Sequence, residues 1–317
     1  MSNPGPVAQA DLAIAEPGNP PDWQPAFAVC VTTMNRVDTL AACLANLARC
    51  EPPAALVVVS DDSPEPAVRA ANEAVVAAHA GVVYLAGPRR GVCANRNNAV
   101  KYCLEHAPKC DYVSFVDDDI LVYADFFAVA RQHFASLPVL QRRMTMLTGG
   151  ASSGPGLHEC KPVRLSFTGY FKEGREPQCV NLHASVFPLA LFTHDLWDEN
   201  IFFGTEDAEL SLRALRRGYR IDLEPALCSR DTMPGGGVLN GAGAVDGLTR
   251  YQLNCEAARL YIGVKRYRLI EPSLSRCAAF LLIYFGHLTL YLARRRALSQ
   301  LVPIVRISKV WRAGVQG

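Results

Sequence analysis

The residues best suited to chemistry are Asp117-Asp118-Asp119. They close an apolar run, Tyr112-Val113-Ser114-Phe115-Val116, and Ile120-Leu121 follows at once. Adjacent like charges repel and resist burial, so stability alone does not put them at the end of a core strand. A divalent cation would remove the repulsion. Mg²⁺ and Mn²⁺ take oxygen ligands and share them with substrate phosphates. The same residues also suit a plain turn or a helix N-cap, since Asp favours both. The surrounding elements have to decide between the two readings.

Those elements alternate. Phe27-Ala28-Val29-Cys30-Val31 reads as a buried strand, and the polar loop Thr32 to Arg36 follows it. Asp38 to Cys50 has helical spacing through Leu40, Cys43, Leu44 and Leu47. Leu56-Val57-Val58-Val59 is a second buried strand ending at Ser60-Asp61-Asp62-Ser63-Pro64, and Val68 to Ala80 is a helix. Val82 to Leu85 is a third strand, Gly91 to His106 a loop and helix, and Tyr112 to Val116 a fourth strand. Short connections between alternating strands and helices predict a parallel sheet covered by helices. Such sheets bind ligands at the carboxyl ends of their strands. Thr32-Thr33, Asp61-Asp62 and Asp117 to Asp119 all fall at such ends, a convergence that separate turns do not require.

Beyond residue 140 the pattern loosens. Leu165 to Tyr170 and Val180 to Val186 are expected as strands of a second, mixed sheet. Glu206 to Arg217 is a helix with an apolar stripe, acids at its start that complement the dipole, and Gly218 at its end. Gly235 to Gly243 is a candidate lid. Eleven scattered cysteines without a C-x-x-C pair imply reduced, buried thiols rather than a disulfide or zinc framework. The N-terminus has neither a basic n-region nor an apolar h-region, so no secretory leader is expected.

Four segments stand in order: Val29-Cys30-Val31-Thr32-Thr33-Met34-Asn35-Arg36; Val57 to Ser63; Gly91-Val92-Cys93-Ala94-Asn95-Arg96-Asn97-Asn98 with Phe115 to Asp119; and Trp197-Asp198-Glu199-Asn200-Ile201-Phe202-Phe203-Gly204-Thr205-Glu206-Asp207 through Arg213. Over roughly residues 26–232 this set resembles family 2 glycosyltransferases, the inverting, nucleotide-sugar-dependent enzymes of the GT-A fold. The resemblance implies an α/β, Rossmann-like and mostly parallel sheet flanked by helices, a smaller mixed acceptor-side sheet and a helical, basic C-terminal region. A disordered lead over 1–25 would precede a domain over 26–256, with a nucleotide-sugar half at 26–125 and an acceptor half at 140–256, and residues 257–317 would form the tail.

The resemblance also implies roles. Thr32, Asn35, Arg36 and Arg96 would lie on the nucleotide or its phosphates. Asp61 would read the base, which favours a UDP- or dTDP-sugar. Asp117 and Asp119 match the D-x-D acids and would hold Mg²⁺ or Mn²⁺ against the diphosphate, with Asp118 as a spacer. Asp207 would be the general base, an ordinary carboxylate ionised at neutral pH. Glu206, Trp197 and His183 would stand on the acceptor side. Many relatives carry a further metal-binding His near the position of Asp231. Here Asp231 is either an oxygen ligand or a turn residue. His158 and His194 read as ordinary polar residues. The enzymic alternative, a sugar-phosphate nucleotidyltransferase, normally has a Gly-rich loop after its first strand, and Thr32 to Arg36 has no glycine. The other alternative is an inactive nucleotide-sugar-binding protein, against which Asp117, Asp119 and Asp207 all stand intact.

Charge is unevenly distributed. From Ala257 onward there are eleven basic residues and one acid, Glu271. Within that tail, Cys277 to Ala293 is apolar and Arg294-Arg295-Arg296 follows. Seventeen residues are short for a span. The stretch is expected either to lie in a membrane interface against anionic lipid or to pack in the core. The interfacial reading suits a glycan or lipid-linked acceptor in envelope polysaccharide or glycolipid synthesis, at the cytoplasmic face of the membrane. Nucleic-acid binding is not expected, because the aromatics of the tail sit largely within the apolar run.

Overall fold

The computed structural model describes residues 23–152, 160–233, 244–245 and 247–314. Most of the expected lead-in, the glycine-rich segment proposed as a lid and His158 lie outside these. Of the lead, residues 23–25 are described, and the Arg142 guanidinium stands 4.2 Å from the centre of the Trp23 ring.

The first half is built from β1 (Phe27–Thr33), α1 (Val37–Leu47), β2 (Leu56–Asp61), α2 (Pro66–Ala77), β3 (Val82–Ala86), α3 (Val92–His106), β4 (Tyr112–Asp117) and β5 (Ile120–Val122). Then come α4 (Phe126–Ser136), α5 (Val139–Met144), β6 (Thr145–Ser152), β7 (Val163–Leu165), β8 (Phe171–Glu173), β9 (Ser185–Pro188), α6 (Glu206–Arg216) and β10 (Arg220–Asp231). The C-terminal helices are α7 (Arg250–Lys265), α8 (Leu274–Arg294) and α9 (Leu301–Ser308).

Eight strands form one sheet in the order β3-β2-β1-β4-β9-β6-β10-β5. Strand β1 is buried along its whole length. Its alternate residues serve two cores, Ala28 and Cys30 on one face and Phe27, Val29 and Val31 on the other. Strands β1 to β4 run parallel, and β2 and β4 flank β1 on opposite sides. The chain therefore reverses direction across the sheet at β1, which leaves a crevice at the carboxyl ends. The register sets Thr32 beside Asp117 and Thr33 beside Asp61.

The acceptor-side strands β9, β6, β10 and β5 form the mixed portion expected, joined to the parallel strands through β9. Strand β9 pairs antiparallel with both β4 and β6, and so extends the main sheet. Strand β6 then pairs parallel with β10, and β10 antiparallel with β5. Strands β7 and β8 stand apart as an antiparallel hairpin, as does the short pair Ala244–Val245 with Leu248–Thr249. The run Leu165 to Tyr170 breaks at Gly169, whose positive φ of 81° makes the turn. The run Val180 to Val186 breaks at Leu182–Ala184, a 3₁₀ turn whose Leu182 carbonyl accepts from the Ser185 hydroxyl at 3.0 Å. Pairing of Asp231 with Ile120 brings the late end of β10 back to the acidic triplet.

All eleven cysteines are free, seven of them buried, as hydrophobic packing groups. Helix α7 starts on a capping box made by Thr249 and Gln252. Helix α8 buries one stripe, Cys277, Phe280, Tyr284, Leu288 and Leu292, at helical spacing. Its Phe280 ring occupies the space where a Cβ on Gly263 of α7 would stand, 2.0 Å away, and the Tyr284 hydroxyl donates to the Glu256 carbonyl at 2.9 Å.

Candidate active site

The acidic triplet sits at the carboxyl end of β4, where two arginines and two threonines meet it. The Thr32 hydroxyl donates to Asp117 at 2.7 Å and the Thr33 hydroxyl to Asp118 at 2.6 Å. Arg36, at the N-cap of α1, donates to Asp118 at 2.8 Å and to Asp119 at 2.5 Å. Arg96, from the first turns of α3, is 1% exposed. One of its terminal nitrogens lies 3.0 Å and 3.2 Å from the Asp117 oxygens, and the other donates to Glu206 at 2.7 Å. A single buried guanidinium thus ties the end of β4 to the start of α6.

Burial raises the pKa of Asp117, but Arg96 and His183 outweigh it and hold the carboxyl down at about 2. Asp118 differs: burial pushes it up to about 7 against the Thr33 hydrogen bond and Arg36. Asp119 is also raised, by burial and by the Asp117 charge, with Arg36 opposing and Asp231 adding repulsion. Asp231 therefore stands close enough to the triplet to act on it, and its carboxylate accepts from the Met233 amide at 2.7 Å. Among the described residues, no group of three or more His, Cys, Asp and Glu is arranged to hold a metal by itself. The donors at hand are all carboxylate oxygens, the ligand type of Mg²⁺ and Mn²⁺. Mg²⁺ in particular is commonly held by one or two carboxylates completed by substrate phosphates, so the donor set fits such an ion.

Helix α6 begins after a tight approach. Gly204 and Thr205 both have positive φ, 101° and 56°. The Gly204 amide donates to the second Glu206 oxygen at 2.8 Å. Asp207 then lines a 370 Å³ pocket together with Gly149, Gly150, Lys161, Phe171 and Asn181. Burial and the Glu206 charge push Asp207 up to about 7, against the Ala208 amide, which donates to it at 2.8 Å, and Arg96. The expected ordinary pKa is thereby corrected. The carboxyl is half ionised near neutrality and is a stronger base when ionised.

Two further expectations change. Asp61 is fully buried. One oxygen accepts from the Ser63 amide at 2.8 Å, the other from Asn72 at 2.9 Å and the Tyr84 hydroxyl at 3.0 Å. It braces the loop, with three of the roughly four acceptor sites of a carboxylate taken. Trp197, expected on the acceptor side, is 2% exposed and makes an edge contact with Phe115 at 5.0 Å. The Arg96 guanidinium lies 5.3 Å from its ring centre, so Trp197 is a floor beneath the arginine. His183 faces the donor-side acid, its Nε2 3.8 Å from Asp117. Asn35 takes a left-handed φ of 59°, which Asn tolerates, and keeps its side chain exposed at the crevice while its amide donates to Ser63. His194 is exposed.

Sequence reasoning passed over the clamp behind α6. Glu209, fully buried, accepts from Arg213 at 2.6 Å and pairs with Lys265 at 2.7 Å. Arg213 also reaches Asp195 at 2.7 Å, and Lys265 reaches Asp198 at 2.6 Å. The available signal was the i,i+4 spacing of Glu209 and Arg213. A larger cavity of 1040 Å³ opens beyond this clamp, at the other end of α6, where Arg213, Arg217 and Lys265 are all paired with acids.

The model of the family described as glycosyl transferase family 2 matches residues 28–191. No curated protein sequence matches. Solved structures do match. S. aureus TarS superimposes at a TM-score of 0.50 with 16% identity, over 83% of this chain and 43% of that one, so this chain spans less than half its length. S. aureus TarS 1-349 in complex with UDP-GlcNAc gives 0.52 and 17%, over 89% and 81%. The mannosyltransferase PcManGT from Pyrobaculum calidifontis, in complex with GDP-Man and Mn²⁺, gives 0.54 and 15%, over 94% and 77%. At these identities the likeness is one of fold.

Proposed function

The chain belongs to glycosyl transferase family 2, and on that premise we propose an inverting transfer of a sugar from a nucleoside-diphosphate donor to a hydroxyl of a glycan or lipid-linked acceptor. The observation that carries this is the Arg96 bridge. It joins Asp117, at a strand end suited to a diphosphate, to Glu206, beside Asp207, the one carboxylate among the described residues that lines the pocket. Asp207 takes the proton of the acceptor hydroxyl as that oxygen bonds to the anomeric carbon. The bond from that carbon to the phosphate oxygen breaks, and its electron pair leaves with the nucleoside diphosphate. Attack opposite the leaving group inverts the centre.

Arg36 and Arg96 lie beside the acids that would face the diphosphate, and their charge stabilises the leaving group. Asp119, with Asp117 or Asp231, would hold a Mg²⁺ or Mn²⁺ ion, which when bound supplies further positive charge there. Thr32 and Asn35 complete the donor crevice. The choice of a UDP- or dTDP-sugar rests on Asp61, whose side chain is buried and bonded within its own loop. That structures of similar fold hold UDP-GlcNAc and GDP-Man supports a nucleotide sugar of either base type.

The test is release of nucleoside diphosphate from a panel of nucleotide sugars with Mn²⁺. Slow, metal-dependent hydrolysis of one donor is expected. Asp207→Asn should lower turnover by at least about 100-fold, within the range for loss of a general base, while the same donor still raises the melting temperature. Loss of donor binding in that variant would contradict the base assignment. Consumption of a sugar phosphate plus nucleoside triphosphate would support a nucleotidyltransferase instead.

A further inference from the structure

The outward face of α8 has no role in the reaction above. No Asp, Glu, Lys or Arg lies between Arg276 and Arg294, a run of about 25 Å along the helix. The inward stripe is accounted for by packing. The outward residues include Ala279, Leu282, Gly286, Thr289, Leu290 and Ala293, all exposed, with Leu282 at 78% and Leu290 at 59%. Among the described residues, nothing comes within 4 Å of where a Cβ on Gly286 would stand. A solvated helix face normally carries charge, and this one is uncharged over four turns. At its end stand Arg294, Arg295 and Arg296, and among the described residues no acid pairs with any of them. Exposed apolar groups continue into the next elements at Leu298, Val302 and Trp311.

We infer that this face of α8 is a docking surface for an anionic lipid bilayer, the helix lying along the interface with its arginines at the headgroups. An uncharged face suits the acyl boundary, and arginines with no acid partner among the described residues suit phosphate headgroups. The helix has the length and composition to cross a membrane. Crossing would strip Phe280 from Gly263 and leave the Tyr284 hydroxyl without its carbonyl partner, so the packed stripe favours lying along the surface. The assignment goes beyond the proposed reaction and does not depend on it.

The test uses the full chain and sedimentation with vesicles of phosphatidylcholine alone or with roughly a third phosphatidylglycerol, at low and high salt. Binding to the anionic vesicles should be at least about tenfold stronger and should weaken with salt. Replacing Arg294, Arg295 and Arg296 by Gln should weaken it by about 100-fold, at roughly 1 kcal/mol per basic residue. The double variant Leu282→Glu and Leu290→Glu should abolish it while leaving the melting temperature in solution unchanged. Equal binding to both vesicle types overturns the inference, and that comparison needs no variant. So does retention in the membrane after alkaline carbonate, which would mean a span. A dimer in solution that Leu282→Glu dissociates would assign the face to a second copy of the chain. Donor hydrolysis is measured without lipid, so failure here leaves the proposed reaction untouched.

Discussion

At the residue scale, the proposed chemistry turns on two buried groups of opposite sign. Asp207 at about 7 predicts an acid limb in the pH dependence of kcat/KM centred near neutrality. Asp118 is also raised to about 7, so the limb should survive in Asp118→Asn. An Asp whose native pKa is raised holds its proton in the folded chain when the unfolded chain has released it. Stability is therefore lost as pH rises from about 4 to about 7. Asp207→Asn should accordingly be about 1–3 kcal/mol more stable than the parent at pH 8 and equal to it near pH 4, by urea unfolding at both. Arg96→Met removes the partner of Asp117 and Glu206 together. Leaving buried acids uncompensated costs about 3–5 kcal/mol, and loss of the arginine's charge should move the acid limb upward. A limb that stays in place would separate Arg96 from Asp207. That Asp117, Asp119, Arg36, Arg96 and Glu206 meet at one edge of the sheet was legible in the sequence, because they stand at strand ends and helix starts that a parallel sheet gathers there. The burial of Asp61 and Trp197 was not legible, because it depends on Asn72, Tyr84 and Phe115, distant residues that leave no local mark.

At the element scale, alternation of strand and helix was readable from buried apolar runs and short connections. The course of the chain after β6 was not. There, side chain to backbone hydrogen bonds cut apolar runs short, and β9 takes its place by antiparallel pairing with strands on both sides. Close approach governs the C-terminal helices. A methyl group on Gly263 would collide with the Phe280 ring. Gly263→Ala should cost about 1–3 kcal/mol, as overpacking does. Hydrogen exchange should quicken along α8 and leave the β1 and β4 amides unchanged, since α8 packs away from those strands. Faster exchange across β1 would show that the tail and the sheet unfold as one unit.

At the scale of the whole molecule, charge is split. The tail from Ala257 holds eleven basic residues and one acid, so 21 of the chain's 32 basic and 29 of its 30 acidic residues belong to the rest. An acidic body is repelled by an anionic surface that attracts its basic tail, which orients the chain without any specific contact. Transfer to an acceptor carried in anionic vesicles should therefore fall as salt is raised through the range where the Debye length drops below about 10 Å. Donor hydrolysis in free solution should change little over the same range. A parallel fall in both rates would place the salt effect in the crevice and not in the tail.

Held by the uncharged side of α8, the chain would find its acceptor by diffusion in two dimensions. The quantity that sets the encounter rate is then the number of acceptors per unit of lipid area, whatever their number per unit volume. Adding inert anionic lipid at a fixed amount of acceptor would thin the acceptors out and slow the reaction, although the solution as a whole contained as much of everything as before.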